Sequence, residues 1–319
     1  MKFADAAARS YAHLRCGAHA GATEANSYSE TTKLHNRINL KNALKKLDTL
    51  PAMPVIAQKL LTLPLETHEG ELAMLKLIEH DPQLSAKIIG LANAPLFGAS
   101  LKTTSVKDAA MLLGMTRVKS VAIGIAAMSA LTGMPQGRLS VQDLWLHSLT
   151  VALTMRTLAQ YMPVQSRPND DQIFLAGLLH DIGYLVLAYL DIKRSDELHA
   201  RMAEEPERPM VEIEQELLDV THSEMGAQLA QNWGLPNEII TVLRYHHNPE
   251  SAEALAGKTL IRIINLAEKL LPSFGIAESA EPGIDDAEWN SLGIDPGKRE
   301  DICHRIAEQA EQARQLTGA

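Results

Sequence analysis

The sequence predicts an all-α protein, and three observations lead to this class. Runs in which apolar and polar residues alternate, as in half-buried strands, are absent. Aromatic residues make up only 4% of the 319 residues, which suits helices filled with Leu, Ala and Ile better than sheets. Apolar residues instead recur near the helical period along most of the chain and amount to 46%, enough for a sizeable core.

The chain divides into four predicted segments. Residues 1–33 are rich in Ala, Ser, Gly and Thr and lack an apolar face, so we expect a tail that folding does not require. A first helical lobe is predicted over 34–140 and a second over 141–270, the two packed together as a multi-helical bundle. A loop with several Pro and Gly residues and a last helix take 271–319.

Helix signals mark the start of the first lobe. The sequence predicts a helix over Leu40–Leu47, which the run Leu50-Pro-Ala-Met-Pro54 ends. Pro54 can start the next helix, and the apolar pattern continues over Glu71–Glu79. Asp81 followed by Pro82 predicts a helix start, with Asp as the N-cap and Pro in the first turn.

Three further signals place the helices that follow. We expect the helix that begins at Pro82 to close at Phe97-Gly98. Ser105-Val-Lys-Asp108 is similar to a capping box, with Asp in place of the usual Glu. Gly114 then ends a short helix, and Thr116 is predicted to cap the next one.

The second lobe and the C-terminal segment read as helices separated by polar loops. The predicted spans are Trp145–Gln160, Ile173–Leu190, Ser223–Trp233, Pro236–His246, Thr259–Leu270 and Lys298–Leu316.

Composition excludes several functional classes. The formal net charge of −9 argues against a protein that coats nucleic acid or binds an anionic membrane. Two cysteines, Cys16 and Cys303, exclude a disulfide framework and a cysteine-based zinc site. Met1–Ser10 has no apolar core of a signal peptide, and the run Val121–Leu131 falls short of the ~20 residues of a membrane helix. We therefore expect a cytoplasmic location and no membrane partner.

One segment imitates a helix-turn-helix motif around Arg117 and Lys119. A recognition helix needs a basic exposed face, whereas Val118, Val121 and Ile123 make this one core-like. Together with the negative charge, this pattern predicts no nucleic-acid partner.

The chemistry is concentrated in histidines within or beside apolar helices. Six of the 12 histidines lie between His147 and His247, where an unpaired charge would be costly. Neutral imidazoles and a carboxylate can bind divalent metals if several helices converge, and Asp181 could then bridge two ions. Two metals ~3.5–4 Å apart would suit phosphoester chemistry. The alternative is an internal His–Asp ion pair inherited from an enzyme ancestor.

Motifs in order along about 200 residues carry a family resemblance. The first lobe has Leu50-Pro-Ala-Met-Pro54, Asp81-Pro82, Leu91-Ala-Asn93, Phe97-Gly98 and Leu112-Leu113-Gly114. The second has Trp145-Leu-His147-Ser148, Ala176 to Gly183, His222-Ser-Glu-Met-Gly226, Trp233-Gly-Leu-Pro236 and Tyr245-His246-His247. The chain resembles HDOD proteins, bacterial signalling relatives of the HD phosphohydrolase superfamily, and the match covers roughly Leu50–Pro249. The second lobe is then an HD-like helical lobe packed on the first.

The resemblance implies a metal-ligand set, because the superfamily's ligands follow the order His, His-Asp, His, His-His, Asp. In this sequence the matching positions are His147, His180, Asp181, His222, His246, His247 and, in place of the last Asp, Glu268. The implied cofactor is a divalent metal (iron, manganese, zinc or nickel), in a site that can be dinuclear.

Two departures bear on activity. Tyr184 follows Gly183, where the cyclic-dinucleotide phosphodiesterase branch has a Lys, and the Gly-Tyr-Pro signature after His247 is replaced by Asn248-Pro-Glu-Ser. The resemblance therefore implies a signal-transduction output or scaffold module that binds metal and protein partners without hydrolysing cyclic di-GMP. The alternative is a metal-dependent phosphohydrolase of a nucleotide or another phosphorylated small molecule, for which Arg244 and Lys258 are scattered candidates for a basic cradle.

Overall fold

The all-α prediction is confirmed in the computed structural model, which describes Leu40 and residues 50–97, 102–132, 137–271 and 284–314. Within these ranges the regular elements are α-helices and short 3-10 turns. The part before the histidine-bearing helices contains α1 (Val55–Thr62), α2 (His68–Glu79), α3 (Pro82–Ala92), α4 (Val106–Leu113) and α5 (Met115–Leu131). The histidine-bearing part contains α6 (Val141–Tyr161), α7 (Asp170–Leu179), α8 (Ile182–Leu190), α9 (Ile192–Glu204), α10 (Met210–Leu218), α11 (His222–Asn232), α12 (Asn237–Tyr245) and α13 (Lys258–Leu270). The last helices are α14 (Asp286–Ser291) and α15 (Arg299–Arg314).

Two of the predicted caps are present. The Asp81 side chain accepts hydrogen bonds from the backbone N–H groups of Gln83 and Leu84, both at 3.0 Å. The Ser105 hydroxyl accepts from the backbone N–H of Asp108 at 3.0 Å. Each cap satisfies N–H groups that the first turn of a helix leaves without a partner.

The end predicted for α3 at Phe97-Gly98 is wrong, since the helix stops at Ala92 and only a 3-10 turn covers Pro95–Phe97. Asn93 explains the early stop. Its side-chain amide donates to the carbonyl of Thr103, and its side-chain oxygen accepts from the backbone N–H of Thr103, both at 2.8 Å. This pairing joins the end of α3 to the segment before α4.

The cap predicted at Thr116 is also wrong. The N-cap of α5 lies two residues earlier, at Gly114 with φ +95°, and the helix begins at Met115. The left-handed backbone favours glycine at this sharp turn between α4 and α5. In contrast, the core-like reading of α5 is confirmed, since Val118, Val121 and Ile123 are buried.

The two basic residues of α5 face protein groups. The Arg117 guanidinium lies over the Phe174 ring, 5.0 Å from its centroid, and the Lys119 ammonium donates to the Leu63 carbonyl at 2.8 Å. These contacts attach the helix to its neighbours rather than presenting a basic face.

The helix predicted over Ile173–Leu190 is interrupted at His180 and Asp181. The segment begins at Asp170, and Asp181 leaves helical geometry with φ −98° and ψ 12°. Helix α8 then starts at Ile182. The break turns the His–Asp pair inward, where a continuous helix would place the two side chains about 100° apart.

Two glycines allow the helices around this pair to pack closely. A Cβ on Gly177 would lie 2.6 Å from the Cα of Ala152, so the backbones of α7 and α6 approach each other closely. A Cβ on Gly183 would lie 1.9 Å from the carbonyl oxygen of His222, so α8 and the start of α11 are in backbone contact. The two close approaches fix the distances between the helices that carry the histidines.

Two motifs distant in sequence meet directly. The indole N–H of Trp233 donates to the carbonyl of Pro51 at 2.9 Å. All described residues belong to one compact unit, Asn39–Ala319. The boundaries at 34, 141 and 271 stay predictions, and both the tail and most of the helix predicted over Leu40–Leu47 lie outside the described residues.

One helical stretch among the described residues, Asp170–Leu190, is long and apolar enough to cross a membrane. In its most apolar window 89% is buried inside the protein, as in the core helix of a folded domain. The helix pair Val106–Leu113 and Met115–Leu131 passes the same length and composition test only if both are counted as one span, and it is bent by 117°. The cytoplasmic location stays a prediction.

Candidate metal centre

The structure brings together all seven residues that the resemblance singled out. His147 comes from α6, the His180–Asp181 pair from the break between α7 and α8, and His222 is the first residue of α11. The pair that follows α12 and one side chain of α13 complete the centre, and these are His246, His247 and Glu268. Their ligand-type atoms form two groups, Asp181 with His222, His246 and His247, and His147 with His180 and Glu268, each within 4.8 Å.

Asp181 lies between the two groups and is fully buried. Its Oδ2 is 3.1 Å from Nε2 of His180 and 3.3 Å from Nε2 of His147. Its Oδ1 is 3.5 Å from Nε2 of His222 and 3.6 Å from Nε2 of His246. One carboxylate thus faces both groups, one oxygen toward each.

The outward-facing nitrogens of three imidazoles have acceptor partners. Nδ1 of His180 lies 2.9 Å from the Gly177 carbonyl, and Nδ1 of His246 lies 3.0 Å from the Leu243 carbonyl. Nδ1 of His222 lies 2.7 Å from a carboxylate oxygen of Glu214. Because carbonyl and carboxylate oxygens only accept, these partners place the proton on Nδ1 and leave a lone pair on Nε2. This is the arrangement that metal-binding histidines usually have.

The Nε2 atoms that result converge at short distances. Nε2 of His222 is 3.2 Å from Nε2 of His246 and 3.1 Å from Nε2 of His247. On the other side of Asp181, the Nε2 atoms of His147 and His180 are 3.2 Å apart. Between His222 and His246, where both Nε2 atoms carry lone pairs, this distance is repulsive, and a cation or a proton between them removes the repulsion.

The surroundings of the two Asp181 oxygens indicate whether the centre can hold a metal ion. Both are buried, yet neither receives a well-directed hydrogen bond in the part of the chain that the structure describes. A buried carboxylate ordinarily has its acceptors satisfied, because the desolvated charge is costly. Imidazole nitrogens and carboxylate oxygens around such a group are the donors that iron, manganese, zinc and nickel accept. The residues present therefore fit a divalent metal.

Glu268, which stands where the superfamily has Asp, reaches the centre with its longer side chain. Its Oε1 is 3.3 Å from Nε2 of His180, and its Oε2 is 3.8 Å from Nδ1 of His247. The substitution thus keeps a carboxylate beside the histidines.

Burial and mutual contact shift the protonation of the centre. Burial lowers the pKa of His246 to about 4, and with the neighbouring His246 and His222 rings it lowers the pKa of His247 well below its ordinary value. Burial acts to raise the pKa of Asp181, but the neighbouring imidazoles of His180, His147 and His246 hold it well below the ordinary value. Neutral imidazoles beside an ionised carboxylate are the protonation states that metal binding requires.

Sequence reasoning missed Glu214, a fully buried carboxylate on α10. A signal was available, because Met210, Ile213, Glu214 and Leu218 occupy the same helical face and are all buried. A Glu in phase with apolar residues indicates a buried acceptor, and here its partner is His222.

The other described histidines lie apart from the centre. His68 and His304 have side chains that are 80% and 74% exposed, and each faces a Glu of its own helix. His80 and His199 contact the carbonyls of Lys76 and Ser195 one turn earlier. His13, His19 and His35 lie outside the described residues.

The fold and the histidine centre define a helical module of the HD type, and comparison with known proteins agrees. The chain belongs to the HDOD family, whose domain model matches residues 50–249. An uncharacterized protein of Treponema pallidum (strain Nichols) is 27% identical over 223 residues, which is 69% of this chain and 41% of that protein.

Two solved structures share the fold at more than 25% identity. A candidate signal transduction protein from Marinobacter aquaeolei VT8 is 28% identical with a TM-score of 0.71, covering 88% of this chain and 64% of that one. A candidate phosphohydrolase from Shewanella amazonensis SB2B is 26% identical with a TM-score of 0.62, covering 86% of this chain and 97% of that one. The chain thus spans less than two thirds of the Treponema and Marinobacter proteins.

Proposed function

We propose that this protein is a regulatory HDOD module of bacterial signal transduction, which binds divalent metal in its histidine centre and passes a state to protein partners in the cytoplasm. The observation that carries the proposal is the closure of the centre. The side chains of His180, Asp181, His222 and His246 have no exposed surface, and His147 is 4% exposed. A phosphoester must reach the metal to be hydrolysed, and this arrangement leaves little room for one.

The edge of the centre is formed by Glu268 and His247, whose side chains are 7% and 22% exposed. Of the seven residues, His247 alone has more than a tenth of its side chain exposed. A closed centre of this kind is suited to holding helices in a fixed arrangement, which a partner can recognise.

Tyr184 supports the absence of cyclic di-GMP hydrolysis. It stands at the position where the phosphodiesterase branch has a Lys, and its ring stacks on the His222 ring with centroids 4.5 Å apart and planes 13° apart. Its hydroxyl donates to the sulfur of Met210 at 2.7 Å. The side chain is fully buried and brings no positive charge to a phosphate.

The residues that would hold metal are His147, His180, Asp181, His222, His246, His247 and Glu268. With one Asp181 oxygen facing each group, the set accommodates one or two ions. A bound divalent ion would supply positive charge between the imidazole lone pairs and the carboxylates, and so tie helices α6, α7, α11, α12 and α13 together.

A second candidate function is a metal-dependent phosphohydrolase of a phosphorylated small molecule. The specific observation in its favour is the complete ligand set divided by Asp181 into two groups, which suits a dinuclear centre. The name of the Shewanella relative is in keeping with this candidate. A basic cradle for phosphate is not supported by Lys258, whose ammonium lies 3.8 Å from the Glu250 carboxylate.

Elemental analysis of protein purified without a chelator or a metal-affinity step tests the proposal. We expect one or two divalent ions per chain. The same protein, incubated with cyclic di-GMP and added manganese or iron, should give no linear product above a metal-only control. Protein that stays metal-free after reconstitution with iron, manganese and zinc would refute metal binding, and repeated turnover of cyclic di-GMP would refute the regulatory assignment in favour of an enzyme.

A further inference from the structure

Helix α10 makes two contacts with His222, one with its imidazole and one with its backbone N–H. Glu214 of α10 is fully buried, and its two oxygens accept from two different groups of one residue. Oε1 lies 2.7 Å from the ring Nδ1 of His222, and Oε2 accepts from the backbone N–H of His222 at 3.1 Å. Because the two oxygens of one carboxylate bind both the ring and the backbone of His222, the ring has little freedom to rotate about its side-chain bonds.

Tyr184 restricts the same ring from its face. The two rings lie nearly parallel, with centroids 4.5 Å apart, and the Tyr184 hydroxyl is bound to Met210, which is the first residue of α10. The first residue and the middle of α10 therefore both act on His222, Met210 indirectly through Tyr184 and Glu214 directly. The hydroxyl of Ser223 lies 3.3 Å from the other ring nitrogen, Nε2, and can donate to a lone pair there.

We propose that Glu214 is a positioning residue, which fixes the Nδ1–H tautomer of His222 so that its Nε2 lone pair points into the metal centre. The inference rests on the proposed metal binding and extends it to a residue outside the ligand set. A carboxylate that accepts the outer N–H of a ligand histidine orients the ring and makes the inner nitrogen a stronger donor. Glu214 thereby sets how tightly the Asp181, His222, His246 and His247 group binds metal.

If Glu214 had only a structural role, the Glu214→Gln variant would behave differently. If Glu214 only satisfied the backbone N–H of His222, a residue with one acceptor at that place would be an adequate replacement. Glu214→Gln provides that case, since its amide has one acceptor oxygen and one NH₂ donor group. The backbone proton cannot move, so the oxygen faces the backbone and the NH₂ faces the ring. Nδ1 must then accept, the ring proton moves to Nε2, and the lone pair that metal needs is lost.

The first measurement is the tautomer of His222 in metal-free protein. Imidazole ¹⁵N shifts of histidine-labelled protein distinguish a protonated Nδ1 from a protonated Nε2, and the signal is assigned by its loss in His222→Gln. We expect protonated Nδ1 in wild type and protonated Nε2 in Glu214→Gln. Glu212→Gln, an exposed change on the same helix, is the matched control and should keep the wild-type tautomer.

The second measurement is zinc affinity by competition with a coloured chelator. We expect Glu214→Gln to bind zinc about 10–100-fold more weakly, the usual effect of losing such a partner, and Glu212→Gln to match wild type. Glu214→Asp keeps two acceptor oxygens on a shorter arm and should retain the tautomer, with an affinity between those of wild type and Glu214→Gln. Circular dichroism establishes that each variant is folded.

Three results would overturn the proposal. They are a wild-type His222 protonated on Nε2, a folded Glu214→Gln whose tautomer is unchanged, and a zinc affinity of that variant within twofold of wild type. If Glu214→Gln fails to fold, two other results decide. A wild-type His222 protonated on Nε2, or a Glu214→Asp whose zinc affinity is within twofold of wild type, would overturn the proposal. Wild-type protein that binds no zinc but shows protonated Nδ1 would refute the proposed function while leaving the tautomer assignment intact.

Discussion

Replacement of Asp181 by Asn should remove most of the metal-dependent stability of this protein. The carboxylate has one oxygen 3.1–3.3 Å from the Nε2 atoms of His147 and His180, and the other 3.5–3.6 Å from those of His222 and His246. Asn has almost the same shape but carries no charge, and its NH₂ group must face one of the two sides. One group of ligands then loses its shared anion, and the other faces a donor.

The size of the effect follows from these contacts. Interactions of a charged group are each worth about 1.5–3 kcal/mol, so the loss of about 3 kcal/mol corresponds to roughly 100-fold weaker metal binding. At a free zinc concentration 100 times the wild-type dissociation constant, wild type gains about 2.7 kcal/mol of stability. A variant that binds 100-fold more weakly gains about 0.4 kcal/mol at the same concentration. At about 2 °C per kcal/mol, the melting temperature should rise by about 5 °C in wild type and about 1 °C in Asp181→Asn.

The assay is thermal unfolding with and without zinc, together with metal content per chain. Asp171→Asn, an exposed Asp on α7, is the matched control and should show the wild-type shift. Glu268→Gln should show a smaller loss than Asp181→Asn, because Glu268 contacts the centre from its partly exposed edge. The metal-free melting temperature alone does not decide, since breaking a buried ion pair costs about 3–5 kcal/mol with or without metal. An Asp181→Asn protein with the wild-type zinc shift and metal content would refute the reasoning.

Three further predictions concern stability. Metal-free protein should lose unfolding free energy as the pH falls from 6.5 to 4, because the unfolded chain protonates His246 near 6.5 whereas burial lowers the folded pKa to about 4. His246 alone accounts for about 3 kcal/mol of this loss, and His247, whose folded pKa is also lowered, adds to it. Denaturant titrations that show no such slope would refute the assignment. Gly183→Ala should destabilise the fold by about 1–3 kcal/mol and weaken zinc binding, because its Cβ would meet the carbonyl of His222. Gly90→Ala is the control: a Cβ there meets nothing within 4 Å, so neither stability nor zinc binding should fall. A chain that starts at Leu34 should melt within a few degrees of the full chain, and loss of soluble protein would show that the tail packs on the core.

Local signals in the sequence were enough for the elements whose ends are set by neighbouring residues. Asp81 caps α3 because its side chain reaches N–H groups two and three residues ahead. The end of the same helix depends on Asn93 pairing with Thr103, ten residues away, which no short pattern indicates. Gly114 ends α4 as the sequence predicts, but its role as the N-cap of α5 was missed because Thr116 offered a competing cap signal nearby. Errors therefore fall where a distant contact or a special backbone angle sets one end of a helix.

The seven residues of the centre could be named from the order of motifs, but their arrangement could not. The apolar run through Ile173–Leu190 predicts a continuous helix, and nothing in it reveals the break at Asp181 that turns the carboxylate inward. Glu214 was missed because it belongs to none of the motifs, although it lies in phase with the apolar residues of α10. Residues that position a metal-ligating side chain are harder to predict than the ligating residue itself, because the two lie on different helices.

The contacts of Tyr184 and Glu214 with His222 suit a regulatory centre better than a catalytic one. A catalytic site needs an open face, whereas here one face of His222 is covered by a tyrosine ring and its outer nitrogen is bound by a buried carboxylate. Both contacts restrict the ring, and neither aids access of a substrate. The same contacts make the position of α10 depend on the state of His222, and that of His222 on α10, since a coupling between two groups acts equally in both directions. If the centre binds metal, its occupancy and the placement of α10 would therefore be linked, as the proposed regulatory function requires.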